Sequence, residues 1–204
     1  MNKKSDIKII VLFIIIGLAL FGFTGYKVYN DFFQDKSVDK KLISLDLYGY
    51  TLSKNDSDVY KDNFKALEKV LNEKPIDYSE YAKLISKLFV IDVYTLNNKL
   101  SSTDIGGLEF IHKDLRENFK ENLGNTLYKN VETNLDGKRT QKLPEVSSIE
   151  VTDIQETKYT HNKVEYEGYI VTVEWHYKED MGYQSKLRIT LVKDNDKLYI
   201  VKGE

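Results

Sequence analysis

The run Ile9–Tyr26 (IIVLFIIIGLALFGFTGY) carries no charge over 18 residues and is bounded by Lys8 and Lys27. As an α-helix it would span roughly 27 Å, close to the hydrocarbon core of a bilayer at about 30 Å. It is apolar all round, unlike a helix that packs one face on a soluble core. Lys3, Lys4 and Lys8 precede it against a single Asp6, so the positive-inside rule predicts residues 1–8 in the cytoplasm and everything beyond the run outside. A cleaved signal peptide is the competing reading. The nearby Ala19 is followed by Leu20 and Phe21, which gives no A-x-A cleavage pattern. Without a cysteine the chain has no lipoprotein anchor either. The expectation is an uncleaved single-pass anchor over 9–26, helped by snorkelling lysines and by Tyr26 and Tyr29 at the outer interface.

Composition bounds the rest. Of the 30 Lys+Arg and 32 Asp+Glu, only Lys3, Lys4, Lys8, Lys27 and Asp6 fall within the first 30 residues. The remainder is therefore mildly acidic and lacks the basic footprint that nucleic acid or anionic lipid attracts. Zero cysteines exclude disulfides and thiolate metal sites. About 170 residues after the anchor suffice for one domain with a real core.

Residues 27–54 are expected to form a juxtamembrane linker, with Phe32 and Phe33 at the membrane surface and helix continuing through Leu42–Leu47. The polar loop Ser53–Asp58 leads to a first helix over about 58–72, stopped by Pro75. A second helix starts at Asp77 or Ser79 and runs to about Asn97. It is apolar on nearly every side from Leu88 to Leu96 and is predicted to be the central helix. After the loop 97–107, the stripe Leu108, Ile111, Leu115, Phe119, Leu123 and Leu127 predicts a third helix over about 108–133. Asp136-Gly137 turns the connector 134–144. From Glu145 the apolar period changes from 3.6 to 2, predicting an antiparallel meander of about four strands over 146–202, bent at Gly168. The fold class read from this order is α+β: about three helices on a curved antiparallel sheet in an extracytoplasmic domain, 55–204.

This order on a single N-terminal anchor resembles the nuclear-transport-factor-2-like cone fold, in which helices pack into the concave face of a bent sheet. More narrowly it resembles the bitopic scaffold subunits of type IV secretion and conjugation machines, and also an uncharacterised membrane-associated family of Gram-positive bacteria. The resemblance covers about 55–202, rests on element order alone and matches no motif residue by residue.

Asp92, inside the apolar half of the second helix, is the most provocative side chain. In cone-fold enzymes an aspartate in the cavity serves as general base or, held neutral, as a hydrogen-bond donor. The alternative is an edge residue bonded to a neighbouring tyrosine, and one acid alone is not a catalytic set. Tyr169, Trp175 and Tyr177 alternate onto one strand face, and with Asp92 they form the candidate pocket, against a plain reading as core. Glu109 with His112, and Glu174 with His176, have spacings used for metal but lack a third ligand. Gly106-Gly107 could cradle an anion at a helix start or simply form a tight turn. The expectation is a non-enzymatic, membrane-anchored scaffold or adaptor. It has no catalytic, cofactor or metal residues, and it contacts the membrane and envelope proteins or itself, not nucleic acid. The alternative is a small apolar-ligand-binding domain, or a cone-fold enzyme using Asp92.

Overall fold

The computed structural model describes residues 41–204 except Asp46 and Asn162. The tail 1–8, the apolar run 9–26 and the aromatics expected at the interface lie outside the described residues. Among the described residues no helix is long and apolar enough to cross a membrane. Among the described residues the architecture is α+β, with three α-helices and a curved four-stranded antiparallel sheet, joined by an additional two-stranded hairpin.

Helix α1 (Asp58–Asn72) starts at Ser57, whose hydroxyl accepts from the Tyr60 N–H, and buries Tyr60, Phe64, Leu67, Val70 and Leu71. Helix α2 (Tyr78–Tyr94) is capped in the same way by Asp77, which accepts from the Glu80 N–H. It buries Leu84, Ile85, Leu88, Phe89, Val90, Ile91 and Val93 and touches α1 and three strands of the sheet. The all-round apolar half of its sequence thus becomes the centre of the core. Each such side chain contributes about 1.5–3 kcal/mol of burial.

The sheet runs in the order β3-β4-β5-β6: Val146–His161, Val164–Tyr177, Lys186–Asp194 and Lys197–Gly203. Val171, Val173 and Trp175 of β4, Leu187, Ile189 and Leu191 of β5, and Leu198 and Ile200 of β6 are buried, as the period-2 pattern predicts. Strand β4 pairs with β5 only over Gly168–Glu174, so its first residues continue with β3 as a two-stranded ribbon.

Two expectations are corrected. The helix through Leu42–Leu47 is instead a hairpin of β1 (Lys41–Leu45) and β2 (Tyr50–Ser53), turned at Gly49 with φ +67°. Tyr50 and Leu52 alternate into the core, so burial of that period-2 pair decides the local structure. The compact unit accordingly includes this hairpin, upstream of residue 55.

The expected long helix over 108–133 is mostly absent. A 3₁₀ turn, Lys113–Leu115, leads into a short α3 (Arg116–Asn125). Before it, the backbone is claimed by the sheet: the Ile200 N–H donates to Phe110 O at 2.8 Å and the His112 N–H to Ile200 O at 3.0 Å. Ile111 forms a parallel bridge with Ile200. Groups bonded outward cannot close helical turns. After α3, Tyr128 turns into a satellite core with Leu96, Ile105 and Val131, and its hydroxyl donates to Val93 O at 2.8 Å.

Candidate functional site

Where α3 leaves the body of the domain it roofs a groove of about 510 Å³. Phe89 and Val93 of α2, Leu187 of β5 and Ile200 of β6 form its apolar base, and Leu115, Phe119 and Leu123 form one wall. No residue of α3 is buried, and Phe119 meets Phe89 with ring centroids 5.7 Å apart. Of the apolar stripe read from the sequence, Leu115, Phe119, Leu123 and Leu127 are half-buried against the core. Asn118, Asn122 and Gln184 supply amides at the rim, and Lys202 and Glu204 pair with each other there at 2.5 Å. The single tryptophan, Trp175, lies with its ring centroid 4.7 Å from that of Tyr94 and tilted 45° to it, and Tyr94 itself lines the groove.

Behind the groove lies a buried polar network centred on Asp92. One carboxylate oxygen pairs with the Lys99 ammonium at 2.5 Å, and the other accepts from the Gly107 N–H at 2.6 Å. The anion at the glycine pair is thus the protein's own aspartate. The loop crosses α2 so closely that a Cβ on Gly106 would lie 2.4 Å from Asp92 O, while Gly107 adopts φ +77°. Burial would lower the Lys99 pKa, but Asp92 and Tyr128 more than reverse this and hold the ammonium above its ordinary value. Burial, opposed by Lys99, pushes the Tyr128 hydroxyl up to about 12.

A second network ties the hairpin down. Glu109 accepts from the Thr51 N–H at 3.4 Å, the Thr51 hydroxyl at 3.2 Å and the Tyr60 hydroxyl at 3.3 Å. The Lys197 ammonium donates to Tyr48 O and, at 3.3 Å, to Glu109 O, and lies over the rings of Tyr50 and Tyr199. Burial, helped by Asp92, raises the Glu109 carboxyl to about 7. Burial, helped by Arg116, lowers Lys197 to about 8. Sequence reading weighed Glu109 only as a metal ligand and Lys197 only as the start of the last strand; the contacts that distinguish both come from distant parts of the chain.

Of the four residues expected to share a pocket, Trp175 and Tyr177 meet edge-on with ring centroids 6.4 Å apart, and Asp92 and Tyr169 lie elsewhere. Asp92 is occupied by Lys99 and Gly107 and does not line the groove. Trp175 is fully buried core, and the Tyr177 hydroxyl donates to Gln184 O at 2.6 Å. Tyr169 lies in a separate polar depression with Tyr78, Glu156, Glu167 and Lys193, where the Lys193 ammonium sits 3.7 Å over the Tyr78 ring. Glu109 and His112 diverge: the His112 ring accepts from the Asp114 N–H and packs edge-on against Tyr199. Glu174 pairs with Lys186 at 2.7 Å. Among the described residues no group of three His, Cys, Asp or Glu could hold a metal ion.

The shifted pair at the hairpin has a pH signature. A carboxyl raised from 4.5 to about 7 on folding binds more protons in the native state over that window, so stability falls as pH rises through it. An amine lowered from 10.5 to about 8 binds more protons in the unfolded state, so stability recovers as pH rises from about 8. Together they place a shallow minimum at pH 7–8. Glu109→Gln is expected to abolish the acid limb and to raise stability at pH 8 by on the order of 2 kcal/mol, allowing for partial exposure. Urea midpoints from pH 5 to 8 check this, and a wild-type profile that rises over that range contradicts it.

No family model matches this chain, and no curated protein or solved structure matches it.

Proposed function

We propose that this chain is a non-enzymatic scaffold or adaptor of the cell envelope, anchored by residues 9–26 with its N-terminus in the cytoplasm and its folded domain outside. The groove under α3 is its contact site. The observation that carries this reading is the half-covered apolar stripe of Leu115, Phe119 and Leu123 facing Phe89, Val93 and Leu187, rimmed by neutral amides. An apolar surface of this kind, edged by polar groups, marks an interaction site. Tethering raises the local concentration at the membrane, so modest affinity suffices for a stable assembly. A subunit of a secretion or conjugation machine built on a cone-type domain is the specific form of this proposal.

A photo-crosslinking residue at Asn122, on the groove rim, is expected to yield a discrete adduct with an envelope protein or a second copy in cells. The same probe at Thr152, exposed on β3, is expected to yield none. Leu123→Arg should reduce the Asn122 adduct at least about fivefold while leaving the protein in the membrane fraction. Equal crosslinking at both positions defeats the proposal. The anchor is tested separately: mature protein lighter by its first ~25 residues defeats the uncleaved anchor.

A second reading, a small apolar ligand in the same groove, is favoured by one observation: about 510 Å³ falls within the range of small-molecule pockets, about 300–1,000 Å³. Native mass spectrometry of the purified chain decides it, since a retained small molecule lost on Leu123→Arg makes the groove a ligand site.

A further inference from the structure

Resting on the reading of the groove as a protein contact site, we propose that its occupant is an extended peptide segment that adds to the open edge of β6. The edge can be traced bond by bond. The Arg188 N–H donates to Glu204 O at 2.8 Å and the Glu204 N–H to Arg188 O at 2.9 Å, a hydrogen-bonded antiparallel pair. The adjoining pair, Ile189 opposite Gly203, is therefore the non-hydrogen-bonded kind, and the N–H and C=O of Gly203 point away from β5.

Upstream, the same edge is already used by strand-like backbone of this chain. Ile200 exchanges both of its outward groups with Phe110 and His112 and forms a parallel bridge with Ile111. Among the described residues that coverage stops at Ile200, and the groove begins there, lined by Val201, Lys202 and Gly203. Gly203 is exposed. An arriving strand would thus continue a pairing that the molecule begins with its own chain.

Side-chain spacing fits as well. Alternate residues of an extended peptide lie about 6.5–7 Å apart on one face. They would drop into the apolar base of Phe89, Val93 and Leu187 while the backbone pairs with Gly203. Main-chain bonds with alternating side-chain pockets constitute strand addition. A helix leaves the Gly203 groups unpaired, and an apolar small molecule offers them nothing.

The test uses the full-length chain in mild detergent and a blocked octapeptide, Lys-Val-Thr-Leu-Thr-Val-Thr-Lys, titrated while Trp175 emission and peptide anisotropy are followed. Gly203→Pro removes the outward N–H without touching the Arg188–Glu204 pair, and Gly203→Ala retains it; a Cβ there meets only the Leu187 side chain, at 3.7 Å. Expected are saturable binding, a loss of about tenfold for Gly203→Pro, and a change of less than about twofold for Gly203→Ala. A peptide N-methylated on alternate amides should lose affinity similarly.

Binding that survives both Gly203→Pro and N-methylation but is lost in Leu123→Arg overturns strand addition and leaves the groove as a contact site. Absence of peptide binding, with self-association abolished by Leu123→Arg, makes the occupant a second copy and overturns the peptide proposal. Absence of peptide binding together with failure of Asn122 crosslinking defeats both proposals.

Discussion

Lys99→Met is expected to destabilise the domain by about 3 kcal/mol, the lower end of the cost of leaving one member of a buried ion pair alone. Lys99 is almost completely buried and Asp92 about three-quarters so, with side-chain exposures of 8% and 24%. Without the ammonium, the Asp92 carboxylate is left with the Gly107 N–H as its partner in a largely buried place. The converse change strands the more deeply buried partner, the Lys99 ammonium, and is expected to cost a comparable amount. Asp92→Asn keeps an acceptor for the Gly107 N–H, and in the double variant Asp92→Asn/Lys99→Met no buried charge is left.

The double variant should therefore recover more than half of the loss, giving a coupling of at least about 1.5 kcal/mol in the cycle. For a domain of this size, about 3 kcal/mol corresponds to roughly 6–12 °C in Tm. Thermal and urea unfolding of the four proteins at pH 7 provide the measurement. A Lys99→Met cost below about 1 kcal/mol would show that the pair is solvated and that Asp92 is available for other chemistry.

What the sequence made legible follows from what is local. The polar loop before α1 and the choice of Asp77 or Ser79 before α2 marked both helix starts, and the caps are Ser57 and Asp77, because a side-chain oxygen reaching the N3 amide needs only neighbouring residues. The apolar half of α2, interrupted only by Asp92 and Thr95, announced a helix covered on several faces. The switch to period 2 after Glu145 announced the sheet. Phe119 and Leu123 of the stripe also marked the inward side of α3 correctly.

The failures are non-local. Nothing near Phe110 reveals that Ile200 will take its carbonyl, so helical spacing over 108–112 was overruled by a strand from the other end of the chain. The hairpin at Tyr50 and Leu52 was hidden for the same reason, since its burial depends on Tyr81, Phe110 and Leu198.

The candidate site shows the same division. Asp92 stood out because an acid in an apolar run requires an explanation, yet its explanation, Lys99, lies in a polar loop where no lysine is conspicuous. Tyr169, Trp175 and Tyr177 share a strand face, but eight residues of strand extend roughly 26 Å, too far for one pocket to hold both end tyrosines. Periodicity assigns faces and leaves distance along the strand to be counted separately. The groove itself was illegible, because sequence pattern shows which side of α3 is apolar and not how completely the body covers it.

Gly168→Ala carries the other large expected effect, and it tests how the sheet bends. A Cβ at Gly168 would lie 2.0 Å from Leu191 O and 3.1 Å from Val192 Cα, both backbone atoms of the neighbouring strand. A flexible side chain could swing aside, but backbone in the middle of β5 cannot move without breaking its pairing with β4 or β6. Gly168 is also the first residue of β4 to pair with β5, the point where the four-stranded sheet gives way to the β3–β4 ribbon. Close backbone approach at such a corner is the role of glycine within a strand.

The added methyl is expected to cost about 3 kcal/mol, at the top of the usual range for overpacking. Loss of amide protection should be concentrated at Tyr169, Leu191 and Val192, while α1 and α2 retain theirs. Gly124→Ala is the matched control, since a Cβ there meets nothing within 4 Å and α3 gains about 1 kcal/mol of helix propensity. Hydrogen exchange resolved by residue separates the outcomes. Uniform loss of protection in Gly168→Ala would mean that the bend belongs to the whole cooperative unit, and no loss would mean that the strands slide apart freely and the bend is set elsewhere.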